Sequence, residues 1–266
     1  MIVRLITAAV GIPLLVLVIW AGEPVLALAI AFIGAAAAVE ICEMAQQRDL
    51  RPSKAAAVLV VLGLAAGLNA DTDVWPDFLL PVGGLVAFGI AIKAQHASSG
   101  DRFRAKDFLA LGLSYLPFLL LSYAIDIRAA DQGLEWVFFL FTVTFSTDTA
   151  AFFVGRAIGK RPLAPTTSPN KTWEGAVGGF VAAIGAATVA AVALNLDAEV
   201  AAIVILGGLM GIVGQAGDLV ESKLKRLANV KDSGWLIPGH GGVLDRLDSI
   251  VFNLVLVYYF VIWGVQ

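Results

Sequence analysis

The sequence predicts an all-α, polytopic integral membrane protein of about nine transmembrane helices, with its N-terminus in the cytoplasm. Three observations carry that prediction. Hydrophobic residues make up 59% of the 266 positions and charged residues only 15%, against about 25% charged in ordinary soluble domains. At a mean hydropathy of +0.86, a soluble core of this size cannot hide so much apolar surface, so lipid must be its solvent. The apolar runs are long, rich in Ala, Leu, Val and Gly, and do not alternate with period two, which favours helices over an outer-membrane barrel. Finally, the basic residues segregate into alternate loops.

A span takes about 20 apolar residues. Nine segments qualify: 2–22, 24–45, 54–70, 78–95, 107–127, 135–158, 174–194, 199–225 and 248–264. The first is longer than the apolar region of a signal peptide, lacks an A-x-A cleavage pattern and is followed by further spans, so it counts as a helix of the bundle. The sixth and eighth continue past the hydrocarbon into the cytosol. Loops 46–53, 96–106, 159–173 and 226–247, with Arg4 and the helix ends that adjoin them, hold every one of the 18 basic residues except Arg128. The positive-inside rule makes that side cytoplasmic and puts the C-terminus outside. The opposite loops carry Glu23, Asp71, Asp73, Asp77, Asp131, Glu135, Asp197 and Glu199, read as solvated outer-face charge. Residues 1–135 hold spans one to five. Residues 136–266 hold spans six to nine with the long cytosolic loops, the whole forming one membrane-embedded unit without internal repeats. A net charge of −3 excludes a generally basic nucleic-acid binder, and the single cysteine, Cys42, excludes an internal disulfide framework.

The chemistry concentrates between Asp218 and Asp248. On a helix, Asp218, Glu221 and Ser222 fall at i, i+3 and i+4 and share a face. An ionisable residue within a span costs roughly 2.5–3.5 kcal/mol on insertion scales. Two carboxylates within one turn repel each other unless a cation lies between them, and hard oxygen ligands suit Mg²⁺. Asp245, Asp248 and Ser249 repeat the spacing at the start of the last span, where the helix dipole offers a competing structural reason for acids. The turn Pro238-Gly239-His240-Gly241-Gly242 lets backbone approach a ligand closely, although His240 could equally be a turn histidine with a satisfied ring. Lys223, Lys225, Arg226, Lys231 and Arg246 crowd the same region. So many cations among four or five carboxylates are what a polyphosphate–metal site needs.

A third element runs from Ser146 to Gly175. Asp148 lies well inside span six, and Gly155 and Gly159 follow on nearly the same face. That strip reads either as a smooth path from Asp148 to the cytosol or as close helix packing, and both can hold. Lys160, Arg161 and Lys171 can meet phosphates, as can the free N–H groups where span seven begins near Thr172–Glu174. The run Gly155–Arg161 fails as a P-loop: its glycine spacing is one short, no Ser or Thr follows the lysine and no strand precedes it.

Ser222-Lys-Leu-Lys-Arg226, Lys231-Asp232, Pro238-Gly-His240-Gly-Gly242 and Asp245-Arg-Leu-Asp248 together closely resemble the signature of the phosphatidate cytidylyltransferases, or CDP-diacylglycerol synthases. Ser168-Pro-Asn-Lys171-Thr-Trp-Glu-Gly175 is similar to a second block of that family, with Asn170 where many members have Lys. The resemblance covers roughly residues 144–250, and the first half matches only as apolar spans. It implies that CTP and phosphatidate react with Mg²⁺ to give CDP-diacylglycerol and pyrophosphate. One substrate is a lipid, which explains the membrane; the other is a soluble anion, which explains a charged cytosolic layer.

In that reaction a phosphate oxygen of phosphatidate attacks the α-phosphorus of CTP. The nucleophile is already anionic, so the catalytic problem is to bring two anions together and neutralise the leaving group. The expected metal ligands are Asp218 and Asp245, then Glu221 and Asp248, and a two-cation centre of Mg²⁺ with a second cation such as K⁺ fits the carboxylate count. Lys171, Lys223, Lys225, Arg226, Lys231 and Arg246 are expected to bind phosphates. Ser222, Asp232, His240, Gly241 and Gly242 are expected to shape the substrate pocket, and Asp148 to flank the entry of the lipid headgroup. The resemblance also implies a homodimer. The compact chain without a targeting extension suggests a bacterial plasma membrane. Two rivals make different predictions. A CTP-using polyprenol or phytol kinase would release CDP rather than pyrophosphate, and a transporter would place its acids in broken helices near the midplane.

Overall fold

A computed structural model describes residues 2–68, 105–237, 239 and 241–264. The described chain forms α1 (Ile2–Trp20), α2 (Glu23–Gln46), α3 (Lys54–Leu68), α4 (Ala105–Ser114), α5 (Leu116–Ala129), α6 (Gly133–Ile158), α7 (Trp173–Ala193), α8 (Val200–Leu227), α9 (Leu244–Leu247) and α10 (Ile250–Gly264). Six helical stretches among the described residues are long and apolar enough to cross a membrane: 23–46, 110–129, 133–158, 173–193, 200–227 and 244–263. The segments 9–20 and 54–66 are shorter apolar helices. The architecture is therefore that of an all-α membrane protein. The expected span 78–95 lies outside the described residues.

The loop expected at 159–173 contains a β-hairpin. Strands β1 (Pro162–Ala164) and β2 (Ser168–Thr172) pair antiparallel, with Pro162 opposite Thr172 and Ala164 opposite Ser168. Pro162 and Pro169 are tolerable here because a two-stranded ribbon consists of edges.

The chain divides into two units, Met1–Ser122 with Leu227–Asp245, and Tyr123–Arg226 with Arg246–Gln266. In the first, α2 packs against α1, α3 and α4. Its buried face includes Leu26, Ile30, Ala37, Ala38 and Cys42, and Gly34 lets Phe118 approach to where a Cβ would stand 2.7 Å from the Phe118 Cβ. Cys42 is a free, buried thiol, as a lone cysteine in an apolar run should be. Segment 227–245 is tied to this unit by Arg48, whose guanidinium donates to the Leu227 carbonyl and, at 3.0 Å, to Asn229 Oδ1.

The second unit is built on glycine-lined helix crossings. Gly155, Gly175 and Gly179 press α6 against α7 so closely that a Cβ at Gly175 would stand 2.7 Å from the Ala151 carbonyl. Small residues substitute here for the hydrophobic effect, which cannot drive helix association in lipid. The strip of Gly155 and Gly159 is thus a packing surface, covered by Thr172 and Gly175. Gly207 and Gly211 press α8 onto Ala183, Ala187 and Phe180 of α7. Asn253, buried in α10, donates to Thr144 Oγ1 of α6 at 3.0 Å. Phe152, Val177, Val189, Val192 and Ile205 remain exposed on the outside, where only lipid can cover them at no cost.

Candidate active site

The carboxylates of α8 meet the start of α10 because α8 carries no side chain at the crossing. A Cβ at Gly214 would stand 2.8 Å from Asn253 Nδ2, and one at Gly217 would stand 2.6 Å from the Asp248 carbonyl oxygen and closer still to the Phe252 ring. One residue on from Gly217 is Asp218, and a turn further is Glu221. With the helices this close, carboxylate oxygens of Asp218, Glu221 and Asp248 all lie within 4.8 Å of one another. Glu221 is 4% exposed.

Cations surround this triad. Lys225 Nζ pairs with Glu221 Oε2 at 2.8 Å, one helical turn along, and Lys171 Nζ pairs with Asp218 Oδ2. Ser222 Oγ stands 3.4 Å from Asp218 Oδ1, a long and weak hydrogen bond. Asp148, exposed on α6, is within electrostatic reach of Asp218, Asp248, Lys171 and Arg246. Residues from four separate stretches of sequence therefore act on one another here.

The hairpin delivers Lys171. Thr172 caps α7, its hydroxyl accepting from the Gly175 amide at 3.1 Å, as N-cap threonines do. Glu174 Oε2 accepts from the backbone N–H groups of Lys160 and Arg161 at 3.1 and 3.2 Å, which ties the entry of the hairpin to the same helix end. Arg226 Nε donates to the Thr167 carbonyl at 3.3 Å, so one of the expected phosphate ligands also steadies the hairpin turn. Lys223 is exposed on α8.

Segment 231–245 is organised by two carboxylates. Asp245 Oδ2 accepts from the Ser233 amide (2.9 Å), the Ser233 hydroxyl (3.1 Å) and the Gly242 amide (2.8 Å). Glu40 of α2 accepts from Val243 N (2.8 Å), Leu244 N (3.0 Å) and Ser233 Oγ (2.8 Å). Gly241 sits at φ +85°, and a Cβ there would stand 2.7 Å from Asp245 Oδ2; one at Gly242 would stand 2.5 Å from Glu40 Oε2. The close backbone approach expected of these glycines is thus made to the protein's own carboxylates. Lys231 and Asp232 are exposed on the same segment, and His240 lies outside the described residues.

Asp245 and Asp248, expected on one helical face, part company. Helix α9 ends at Leu247 and α10 starts at Ile250, and the Ser249 amide donates to Asp248 Oδ1 at 2.7 Å across the break. Asp248 joins Asp218 and Glu221, while Asp245 holds the loop. Sequence reasoning missed Glu40, Gly217 and Asn253. Acids inside a largely apolar span were the available signal for Glu40.

The sequence profile of the Cytidylyltransferase family matches residues 2–263. The chain belongs to that family. Among its relatives, a phosphatidate cytidylyltransferase of Brucella suis is 38% identical over 259 residues, covering 97% of this chain and 92% of the relative. One of Bacillus subtilis is 44% identical over 153 residues, 57% of this chain and 56% of the relative. One of Staphylococcus epidermidis is 35% identical over 189 residues, 71% of this chain and 72% of the relative. For a cytidylyltransferase, the triad fits a small divalent cation. All its donors are hard oxygens, and they lie within 4.8 Å of one another, near enough for one cation with metal–oxygen distances of about 2.1 Å to draw them together.

Proposed function

We propose that this chain transfers the cytidylyl group of CTP to phosphatidate, releasing CDP-diacylglycerol and pyrophosphate, at the site around Asp218, Glu221 and Asp248. The observation that carries this reading is the convergence of the three carboxylates with Lys171, Lys225 and Asp148 in a chain of the Cytidylyltransferase family. A non-bridging phosphate oxygen of phosphatidate forms a bond to the α-phosphorus of CTP. The bond from that phosphorus to the α–β bridging oxygen breaks, and pyrophosphate carries the electron pair away.

Asp218, Glu221 and Asp248 would hold Mg²⁺, with Asp245 a further candidate ligand and a second cation such as K⁺ alongside. A metal held there would supply positive charge to the triphosphate and to the pyrophosphate that leaves from it. Lys171 and Lys225 are held within ion-pair distance of the triad, so each can exchange a carboxylate for a phosphate oxygen with little movement. Arg226, Arg246, Lys223 and Lys231 would add positive charge that draws the nucleotide in. Ser222, Asp232, His240, Gly241 and Gly242 would frame the nucleotide. A mostly apolar furrow of about 730 Å³, lined by Ala150, Val154, Ile158, Val177 and Val181 with Arg161 and Glu174, would give an acyl chain a path.

The same reading gives about nine spans with the N-terminus and the site on the cytoplasmic face, because the basic loops lie there. The family resemblance implies a homodimer, and the bacterial relatives with the apolar helices support a bacterial plasma membrane. Incubation of the purified protein with phosphatidate and CTP labelled at the α-phosphorus tests the proposed transfer. Label in a chloroform-soluble product with stoichiometric pyrophosphate is expected. Release of CDP would mark a kinase instead, and no CTP-dependent product would end the proposal.

A further inference from the structure

Glu40 has no place in the chemistry above, yet its carboxylate is among the most fully engaged groups in the chain. It is 5% exposed, in the last third of the apolar helix α2, and more than half the chain away from its partners. Both of its oxygens accept hydrogen bonds: Oε1 from the Val243 amide, and Oε2 from the Leu244 amide and the Ser233 hydroxyl. The surrounding backbone is shaped to admit it. A Cβ at Gly234 would stand 2.5 Å from Glu40 Oε1, and one at Gly242 would stand 2.5 Å from Oε2. Ser233 lies between the two carboxylates: its amide donates to Asp245 Oδ2, and its single hydroxyl proton is divided between Glu40 Oε2 at 2.8 Å and Asp245 Oδ2 at 3.1 Å. Two carboxylates, one from α2 and one from the segment itself, thus grip residues 233–245 from both ends.

We propose that Glu40 is a positioning residue for the nucleotide. Through Val243, Leu244 and Ser233 it fixes the conformation of the 231–245 segment, and so the placement of Lys231, Asp232, Gly241 and Gly242. This inference rests on the assignment of that segment to CTP binding under the proposed function. A buried carboxylate is suited to the task. It presents two acceptor oxygens to converging donors, so neither amide is left unsatisfied, and bonds to a charged acceptor are the strong ones. A glutamine has one acceptor oxygen and would turn an NH₂ group toward an amide donor.

The test compares wild type with E40Q and S233A in the full-length protein, by steady-state cytidylyl transfer and by hydrogen exchange in detergent micelles. E40Q is expected to raise the KM for CTP about tenfold while kcat and Mn²⁺ affinity stay near wild type, and to speed amide exchange at 233–244 selectively. S233A, which removes one donor, should move the same readouts less. Wild-type exchange at Val243 and Leu244 in E40Q overturns the clamp. Faster exchange with an unchanged KM for CTP overturns its role in nucleotide placement, and faster exchange along the whole chain means that Glu40 is only structural. Should E40Q not yield folded protein, S233A decides by the same readouts. If wild type transfers no cytidylyl group, the proposed function falls, while the exchange measurement still decides the clamp.

Discussion

A methyl group added at Gly217 would land between α8 and the start of α10. The new Cβ would stand 2.6 Å from the Asp248 carbonyl oxygen, where ordinary contact begins at 3.4 Å, and would also meet the Phe252 ring. Backbone on one side and a packed aromatic on the other leave the helices no remedy but to separate by about 0.8 Å, at an overpacking cost of about 1–3 kcal/mol. That separation falls between Asp218 and Asp248, which must share a ligand. A misplacement of about 1 Å can cost roughly a hundredfold in rate. G217A should therefore insert and purify, lose about two orders of magnitude in kcat, and bind Mn²⁺ more weakly. G185A is the control, since nothing lies within 4 Å of its added Cβ; alanine there should leave turnover unchanged and favour helix slightly. Turnover and Mn²⁺ affinity at wild-type levels in G217A would refute the idea that this crossing sets the carboxylate geometry.

Other substitutions probe other joints. D218N should abolish cytidylyl transfer at saturating Mg²⁺ while its unfolding temperature stays close to wild type; near-normal turnover would remove Asp218 from the site. K225M leaves the Glu221 carboxylate buried without its 2.8 Å partner, so thermal unfolding without divalent metal should show a loss of about 3 kcal/mol. Saturating Mg²⁺ should restore part of that loss, because a ligand that binds only the folded state stabilises it; no difference between the two conditions would argue against a metal at Glu221. T172A removes the cap of α7 and should cost about 1 kcal/mol, with a larger effect on KM than on stability, because the same turn delivers Lys171.

Much of this molecule could be read before it was seen, and the reasons differ by residue. The apolar helices follow from length and hydropathy, which depend on sequence-local composition alone. Asp218 and Glu221 could be paired because one helical turn separates them. Asp248 could not be assigned to them over Asp245 by the same rule. The rule supposes an unbroken helix, and the helix is interrupted between Leu247 and Ile250. The hairpin at 162–172 is too short to show a period, and its prolines point away from strand. Glu40 was hidden for another reason. Its partners lie about two hundred positions further on, and only tertiary structure reveals that Gly234 and Gly242 are small on its account. Gly217 likewise looks like any glycine of a membrane helix until Asp248 is found against it.

On the function proposed above, Asp218, Glu221 and Asp248 together hold the divalent cation that serves cytidylyl transfer. Crystals soaked with Mn²⁺ and a non-hydrolysable CTP analogue test it by anomalous scattering. The expected result is a Mn²⁺ peak within coordination distance of all three carboxylates, with the analogue's phosphates on its open side. A peak bound elsewhere, or a nucleotide bound with no metal near Asp218, would contradict it.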